Sequence, residues 1–290
     1  MSHLFLAILL AASPDIAPLP SGPGERTLEV GGRPLTLHTY KAASARPDGP
    51  LVIVLHGTLR NAKEYRDWGE PIADRCGGLV ITPEFDSERF PSSAYQFGGL
   101  LTRSGELRPR EEWTWSVIPA VVAAVRNVEK RPVMPYYLIG HSAGGQFLVR
   151  LAAFAPGEAA RIVAANSGSH LAPTRDQPYG YGFGRLPEEA ASDTTIRRYL
   201  ATPLTLYQGT GDTVTTREQD QYLDTGTEAK KQGASRLERG RNTFRQAKEL
   251  AERHGWEFRW RLVEAEGVAH VAAEMFKNAK CDEALFGKKE

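Results

Sequence analysis

The chain has 290 residues, of which 41% are hydrophobic and 24% are charged. This composition is ordinary for a globular protein and provides for one substantial hydrophobic core. Its 36 lysines and arginines nearly balance its 35 aspartates and glutamates, which leaves a formal charge of +1. So small a charge offers no strong field for nucleic acid or for an acidic membrane surface, and we expect no nucleic-acid partner.

The N-terminus begins with an apolar run, Leu4 to Ala12, which has the length of a secretory signal core and is too short to span a bilayer. A spacer rich in proline and glycine follows it up to Gly24. We therefore expect residues 1–24 to be a signal peptide with a spacer, and residues 25–290 to form one secreted or periplasmic domain without stable membrane insertion. The alternative is a disordered tail with a chance apolar patch, because no lysine or arginine precedes the run.

Downstream of the spacer, the apolar residues follow the pattern of strands that alternate with helices. The segments RTLEV and PLTLHTYK alternate apolar and polar residues around GGR, which predicts an antiparallel hairpin. The run from Gly49 to Gly57 lacks polar alternation, as in a strand covered on both faces. A helix and a second buried strand, LVITPEF, follow it.

The same alternation continues to the C-terminus. Further strands are expected at PYYLIG, RIVAANSG, PLTLYQGTGD and WEFRWRLVE. Further helices are expected at EEWTWSVIPAVVAAVRNVEK, SAGGQFLVRLAAFAP, ASRLERGRNTFRQAKELAERHG and AHVAAEMFKNAK. This order predicts the α/β class, with a doubly wound, mostly parallel sheet that carries the antiparallel hairpin at its N-terminal end.

The segment GHSAGG places Ser142 at the end of the strand PYYLIG and at the start of a helix. In a doubly wound sheet, reactive groups lie at the carboxyl ends of the strands. Gly140 and Gly144 lack a Cβ atom, so strand and helix can approach closely around a sharp turn that exposes the serine hydroxyl. This context favours a nucleophilic Ser142 over a small residue in a structural turn.

A serine nucleophile needs a base and an acid that orients the base. Asp212 follows the strand PLTLY and His270 follows the last strand, so the chain order is Ser, Asp, His. The alternatives, which lie farther from the relevant strand ends, are Glu218, Asp220 and Asp224 for the acid and His170 and His254 for the base.

Two backbone amides are expected to hold the oxyanion that forms when a nucleophile attacks a carbonyl group. One belongs to Ala143, directly after the serine, and the other to Thr58, in the loop after the strand VIVLHG. His56 and His141 flank the two glycine turns, where we expect their rings to bond to nearby backbone. No spacing of residues resembles a zinc site or a phosphate loop, so neither a metal nor a cofactor is expected.

The segments VLHGT, GHSAGG, GTGDTV and GVAH resemble the functional loops of the α/β-hydrolase superfamily. LHG followed by GHSAGG is most similar to the esterases grouped with polyhydroxybutyrate depolymerases and feruloyl or acetylxylan esterases. The resemblance implies a secreted serine ester hydrolase that acts on small or polymeric esters through an acyl-enzyme. The alternatives are a serine peptidase or amidase with the same triad and a non-catalytic binding protein of the same fold.

The resemblance implies two further features. This fold inserts a lid after the strand that follows the nucleophile, so we expect a lid-like insertion near residues 171–200, with Tyr179, Tyr181 and Phe183 in contact with an uncharged ester. In this superfamily the helices that carry Cys76 and Cys281 lie side by side. We therefore expect these cysteines, the only two in the chain, to form a disulfide.

Overall fold

The computed structural model describes residues 17–288, so the predicted signal core lies outside the described residues. The strands in this range are β1 (Gly22–Val30), β2 (Arg33–Lys41), β3 (Leu51–Leu55), β4 (Leu79–Pro83), β5 (Tyr136–His141), β6 (Arg161–Ala165), β7 (Leu204–Gly209) and β8 (Arg261–Ala265). The α-helices are α1 (Ala62–Cys76), α2 (Ser92–Tyr95), α3 (Val117–Val128), α4 (Ala143–Phe154), α5 (Glu188–Ala191), α6 (Asp193–Leu200), α7 (Thr227–Gln232), α8 (Arg236–His254), α9 (Ala272–Lys277) and α10 (Lys280–Phe286). None of the helices in this part of the chain is both long and apolar enough to cross a bilayer.

The strands form one sheet in the order β1-β2-β4-β3-β5-β6-β7-β8. β2 is antiparallel to both β1 and β4, and the other neighbours are parallel. This arrangement confirms the predicted mostly parallel sheet with an N-terminal antiparallel hairpin. The carboxyl ends of the parallel strands meet at one edge, where the loops after β3, β5, β7 and β8 gather.

Several boundaries differ from the sequence-based prediction, and three of the differences have a clear physical reason. β1 begins at Gly22, inside the predicted spacer, because Gly22 pairs with Lys41 at the end of β2. β8 starts only after Trp260, whose ring packs edge-on against Tyr199 with 4.7 Å between the ring centres. The predicted C-terminal helix AHVAAEMFKNAK contains α9, which ends at Lys277 because the backbone is extended at Asn278, and α10 follows it.

Helices cover both faces of the sheet, and β3 shows why its sequence lacks polar alternation. Leu51, Ile53 and Leu55 belong to the apolar layer that includes α3 and α4. Val52 and Val54 belong to the opposite layer, which includes α1, α9 and α10. Successive side chains in a strand point to opposite faces, so a strand buried on both faces is apolar at every position.

Cys76 and Cys281 are free thiols in the structure, so the disulfide expected from the sequence is not formed. The helices that carry them are connected instead by an ion pair, because Arg75 Nε donates to both carboxylate oxygens of Asp282 at 3.0 Å. Burial raises the pKa of the Cys76 thiol to about 11. A thiol that stays protonated reacts slowly in disulfide exchange.

The turn between β5 and α4 depends on two glycines that have no room for a side chain. A Cβ atom on Gly140 would lie 2.5 Å from the carbonyl group of Gly144, and one on Gly144 would lie 2.3 Å from the carbonyl oxygen of Leu55. Neither position accepts a larger residue unless the backbone moves. The first turn of α4 is therefore held directly against β3 and β5.

We expect Gly144→Ala to lower the free energy of unfolding by about 2 kcal/mol or more, because overpacking against Leu55 exceeds the roughly 1 kcal/mol that alanine gains in helix propensity. Urea unfolding followed by circular dichroism measures the change. Gly69→Ala in α1 is the matched control, since its nearest contacts would be methyl groups of Val80 and Val54 at 3.1 Å or more. A loss no larger than in this control would contradict the tight packing at the turn.

His170 is fully buried, and within residues 17–288 neither of its ring nitrogens has a hydrogen-bond partner. Its backbone is held by Gln232, which accepts the His170 N–H at 3.0 Å and donates to the His170 carbonyl oxygen at 2.7 Å. Burial lowers the pKa of His170 to about 3, and the charges of Arg150 and Arg239 act in the same direction. The imidazole is therefore neutral in the folded protein through the mildly acidic range.

We predict that His170→Leu stabilises the protein more near pH 5 than near pH 8. An unfolded chain protonates histidine below its ordinary pKa of about 6.5, whereas the folded protein does so only near 3. The wild type therefore loses stability as the pH falls through about 6.5, by about 2 kcal/mol at pH 5, and the leucine variant lacks this loss. Urea titrations at both pH values measure the difference.

His254→Leu is the control for that experiment, because His254 is exposed at the C-terminal end of α8. This variant should gain no additional stability near pH 5. An equal effect of His170→Leu at the two pH values would show that the buried imidazole does not resist protonation.

Candidate active site

Ser142 occupies the turn between β5 and α4 in a strained conformation. Its φ is 57° and its ψ is −114°, which residues other than glycine rarely adopt. The Ser142 N–H donates to the Ala165 carbonyl on β6, and the Gln146 N–H donates to the Ser142 carbonyl, both at 3.0 Å. These bonds hold Ser142 at the wall of a cavity at the carboxyl edge of the sheet.

The three residues predicted from the chain order form one chain of hydrogen bonds. His270 Nε2 lies 3.1 Å from Ser142 Oγ, and His270 Nδ1 lies 2.7 Å from Asp212 Oδ2. The Asp212 side chain is fully buried, and that of His270 is 22% exposed. The carboxylate accepts the Nδ1 proton, so Nε2 faces the serine hydroxyl as an acceptor. The alternative histidines, His170 and His254, lie in the core and at the end of α8.

A buried arginine that sequence reasoning missed completes the surroundings of Asp212. Arg236 Nη1 donates to Asp212 Oδ1 at 3.3 Å, and its Nη2 donates to Asp220 Oδ2 at 2.6 Å. The Arg236 side chain is 1% exposed, and the two carboxylates compensate its charge. Among the alternative acids, Asp220 is thus engaged with Arg236, Glu218 is exposed, and Asp224 lies on the cavity wall.

Asn166, at the carboxyl end of β6, connects two of the loops that form the site. Its Oδ1 accepts the Gly209 N–H at 2.7 Å, and its Nδ2 donates to the carbonyl of Ala269 at 3.1 Å. The side chain thereby holds the segment before Asp212 next to the loop of His270. The sequence shows only an asparagine after an apolar strand, which is equally typical of an ordinary turn.

The two histidines beside the glycine turns are neutral and make structural contacts. His56 Nε2 accepts the Phe85 N–H at 3.0 Å, its Nδ1 lies 3.1 Å from the Gly57 carbonyl oxygen, and burial lowers its pKa to about 4. His141 Nδ1 lies 3.2 Å from the Tyr65 hydroxyl, and burial lowers the pKa of this ring well below its usual range. Within residues 17–288, no group of three or more His, Cys, Asp or Glu side chains is arranged to hold a metal ion.

The two amides expected to hold an oxyanion belong to residues on the wall of the same cavity, since Thr58 and Ala143 line it beside Ser142. Among the described residues, neither amide N–H donates to a protein acceptor. The Ala143 amide is the first of α4, and the first amides of a helix have no partner within it. Two available donors therefore lie near the Ser142 hydroxyl.

The cavity has a volume of about 250 Å³, and its wall combines polar side chains with the apolar side chains of Phe97 and Leu223. The residues with polar groups in their side chains, apart from Ser142 and Thr58, are Gln96, Gln146, Ser169, Arg217, Tyr222, Asp224 and Arg236. Sequence reasoning did not single out the two glutamines, the serine or the arginines. A signal was present for Gln146, because it lies in the first turn of the helix that Ser142 precedes.

The three aromatic residues expected to contact the substrate are not among the residues that line this cavity. Phe183 is fully buried, and both it and Tyr179 pack against the ring of Phe154, at 5.8 and 6.0 Å between ring centres. Tyr181 donates its hydroxyl proton to Asp224 at 2.6 Å. The predicted lid-like segment near 171–200 closes on itself through backbone bonds between residues 172–174 and 181–183, with the Phe183 ring fully buried.

Comparison with solved structures finds two relatives of similar length. Poly(aspartic acid) hydrolase-1 from Sphingomonas sp. KT-1 has a TM-score of 0.82 and 33% identity, over 89% of this chain and 96% of that one. LpqC, a poly(3-hydroxybutyrate) depolymerase from Bordetella parapertussis, has a TM-score of 0.82 and 31% identity, over 91% of this chain and 90% of that one. A thermostable esterase shares the fold, with a TM-score of 0.51 and 14% identity, over 90% of this chain and 61% of that one. No family model and no curated protein matches the chain.

Identities of 33% and 31% over 89% and 91% of the chain indicate more than a shared fold. The mixed sheet, the glycine turn at Ser142 and the positions of Asp212 and His270 at strand ends are consistent with this relationship. The chain therefore belongs to the α/β-hydrolase superfamily and groups with its depolymerase-like hydrolases.

Proposed function

We propose that the protein is a serine hydrolase that cleaves carboxylic esters through a covalent acyl-enzyme. The observation that carries the proposal is the hydrogen-bonded chain from Ser142 through His270 to the buried Asp212, with distances of 3.1 and 2.7 Å. A hydroxyl becomes an effective nucleophile when a positioned base takes its proton, and the base needs a fixed tautomer. The strained Ser142 backbone and the available amides of Thr58 and Ala143 also support the proposal.

In the first half of the reaction, His270 Nε2 takes the Ser142 proton as Oγ attacks the substrate carbonyl carbon. The Asp212 carboxylate stabilises the imidazolium, and the amides of Thr58 and Ala143 donate to the oxyanion. His270 then gives the proton to the oxygen of the leaving group. An alcohol departs, and the acyl group stays bound to Ser142 Oγ.

In the second half, water attacks the acyl-enzyme while His270 takes one of its protons. The same amides stabilise the second oxyanion. His270 returns the proton to Ser142 Oγ as the C–O bond breaks, and the carboxylic acid leaves. Arg236 is a positioning residue in this scheme, because it holds the second oxygen of Asp212.

A carboxylic ester, small or polymeric, is the first substrate class that we propose, and an amide is the second. The similarity to a poly(3-hydroxybutyrate) depolymerase supports an ester, and that to a poly(aspartic acid) hydrolase supports an amide. The polar side chains of the cavity wall are compatible with either. For cellular location, we propose secretion or export to the periplasm, on the strength of the apolar run from Leu4 to Ala12.

Ser142→Ala should reduce hydrolysis of p-nitrophenyl butyrate by about 10⁴-fold or more, because it removes the nucleophile and little packing. A fluorophosphonate probe should add one label to the wild type at Ser142 and none to the variant, as measured by intact mass and peptide mapping. Ser116→Ala is the matched control, since the Ser116 hydroxyl bonds to the Glu111 carbonyl outside the cavity. Folded wild type that takes no label would favour a non-catalytic binding protein.

We predict that short p-nitrophenyl esters are hydrolysed with a higher kcat/KM than matched p-nitroanilides, because an amide nitrogen is a poorer leaving group and needs protonation by His270. A panel of ester and anilide pairs with equal acyl groups, together with a polyester film and soluble poly(aspartic acid), measures the preference. Anilide turnover at or above ester turnover would reverse the order of the two substrate classes.

A further inference from the structure

One wall of the cavity carries polar side chains that the steps above do not use, namely Gln96, Gln146 and Ser169. We infer that they form a second hydrogen-bonding subsite, which takes a carbonyl or carboxylate oxygen of the substrate a few bonds away from the carbonyl attacked by Ser142. This subsite rests on the hydrolase function proposed above and narrows its substrate class. An acyl group with a second acceptor oxygen is favoured over a plain alkyl chain.

The three side chains form a chain of hydrogen bonds in which each glutamine amide donates to the next residue. Gln96 Nε2 donates to Gln146 Oε1 at 2.7 Å, and Gln146 Nε2 donates to Ser169 Oγ at 2.8 Å. Arg150 Nη2 donates to the same Ser169 oxygen at 3.0 Å. Ser169 is 1% exposed and Gln146 is 7% exposed. Their orientation is therefore set by protein contacts before a ligand arrives.

Because the hydrogen bonds run in this direction, Ser169 and Gln146 each keep one donor that is available to a ligand. The Ser169 oxygen already receives two hydrogen bonds, and among residues 17–288 no acceptor takes its own proton. Gln146 has used its side-chain oxygen and one of its two N–H bonds. A buried donor without a partner costs free energy, and a ligand oxygen beside Ser169 and Gln146 removes that cost. The wall is thus complementary to an acceptor oxygen.

Arg150 strengthens these donors. It is fully buried, donates to the main-chain oxygens of Gln146 and Gly180 and to Ser169 Oγ, and lies 4.7 Å from the centre of the Phe97 ring. None of these partners is a carboxylate. A charged donor polarises the hydroxyl that it binds, which makes the hydroxyl proton a better donor. A neutral carbonyl fits this wall, whereas a carboxylate is attracted by the charge of Arg150 and repelled by that of Asp224, which lines the same cavity.

The spacing from Ser142 sets the distance between the two substrate groups. Gln146 lies one helical turn after Ser142, its N–H donates to the Ser142 carbonyl at 3.0 Å, and both side chains line the same cavity. One helical turn rises about 5.4 Å, which corresponds to about four bonds of an extended acyl chain. Gly168 lies against the Gln146 amide, and a Cβ atom there would be 3.2 Å from Nε2 and 3.4 Å from Cδ. The missing side chain leaves the amide open to the cavity.

The same hydrogen bonds also hold the loop after β6 against α4. A purely structural network would affect all substrates alike when Ser169 is replaced. The test therefore uses three esters with equal acyl length that differ in the second oxygen: methyl pentanoate, dimethyl glutarate and monomethyl glutarate. Release of methanol gives kcat and KM for each, and the rate for the dimethyl ester is halved for its two equivalent bonds.

We expect wild type to prefer at least one glutarate ester over methyl pentanoate by about tenfold or more in kcat/KM, as for one good hydrogen bond. Preference for the dimethyl ester identifies a carbonyl as the bound group, and preference for the monomethyl ester identifies a carboxylate. In Ser169→Ala this preference should fall about tenfold, mostly through KM. Equal kcat/KM for all three esters in the wild type, or an equal loss on all three in the variant, would overturn the subsite.

Gly168→Ala covers the Gln146 amide without removing a hydrogen bond, and it should cause the same loss of preference even if Ser169→Ala folds poorly. Thr202→Val is the matched control, because the Thr202 hydroxyl bonds to the Ala152 carbonyl on α4, at 3.1 Å, outside the cavity. This control should keep the preference of the wild type. A Gly168→Ala variant that also keeps it would count against the subsite.

A binding experiment tests the subsite without turnover. It measures the affinity of the Ser142→Ala variant for the two glutarate esters by NMR titration. Addition of Ser169→Ala in that background should weaken binding about tenfold, and unchanged binding would overturn the subsite. Hydrolysis of methyl pentanoate without any preference among the esters would leave the hydrolase function intact and remove the subsite alone. No hydrolysis of any ester and no fluorophosphonate label would remove the hydrolase function, while the titration still decides the subsite.

Discussion

The close approach of α4 to β3 and β5 is the constraint on which the candidate site depends. With a side chain at Gly144, the helix could not begin against the Leu55 carbonyl, and Ser142 could not be held at a φ of 57°. The Ala143 amide would then no longer share a cavity wall with Thr58. The position of one helix against two strands thus determines whether the Ser142 hydroxyl and the two amide donors line the same cavity.

A second constraint is electrostatic. Asp212 is a fully buried carboxylate, and a buried charge is stable only when it is paired and hydrogen-bonded. One of its oxygens bonds to His270 and the other to Arg236, which in turn pairs with Asp220. The orientation of the imidazole therefore depends on a charge network that extends from β7 into α8.

The parts of the molecule that could be predicted from the sequence are those that physical chemistry encodes locally. A strand buried on both faces is an uninterrupted apolar run, as in Leu51–Leu55, and the glycines around Ser142 mark a turn that admits no Cβ. Contacts between side chains that are far apart in the sequence produce no such local pattern. Arg236 lies 24 residues from Asp212, and no local sequence pattern around either residue indicates that they form an ion pair. Phe183 was placed wrongly relative to the cavity because a glycine-rich segment can fold onto its own backbone as well as remain open.

The three groups of the hydrogen-bonded chain are far apart in sequence. The sequence separation is 128 from Ser142 to His270 and 58 from Asp212 to His270. They meet only after β5, β7 and β8 have joined the sheet, and closure of such long loops is slow and entropically costly until the sheet is complete. A nascent chain, or one cut by a protease before β8, keeps the serine but lacks the imidazole beside it. The hydrogen-bonded chain of the three groups therefore forms only when synthesis and folding are finished.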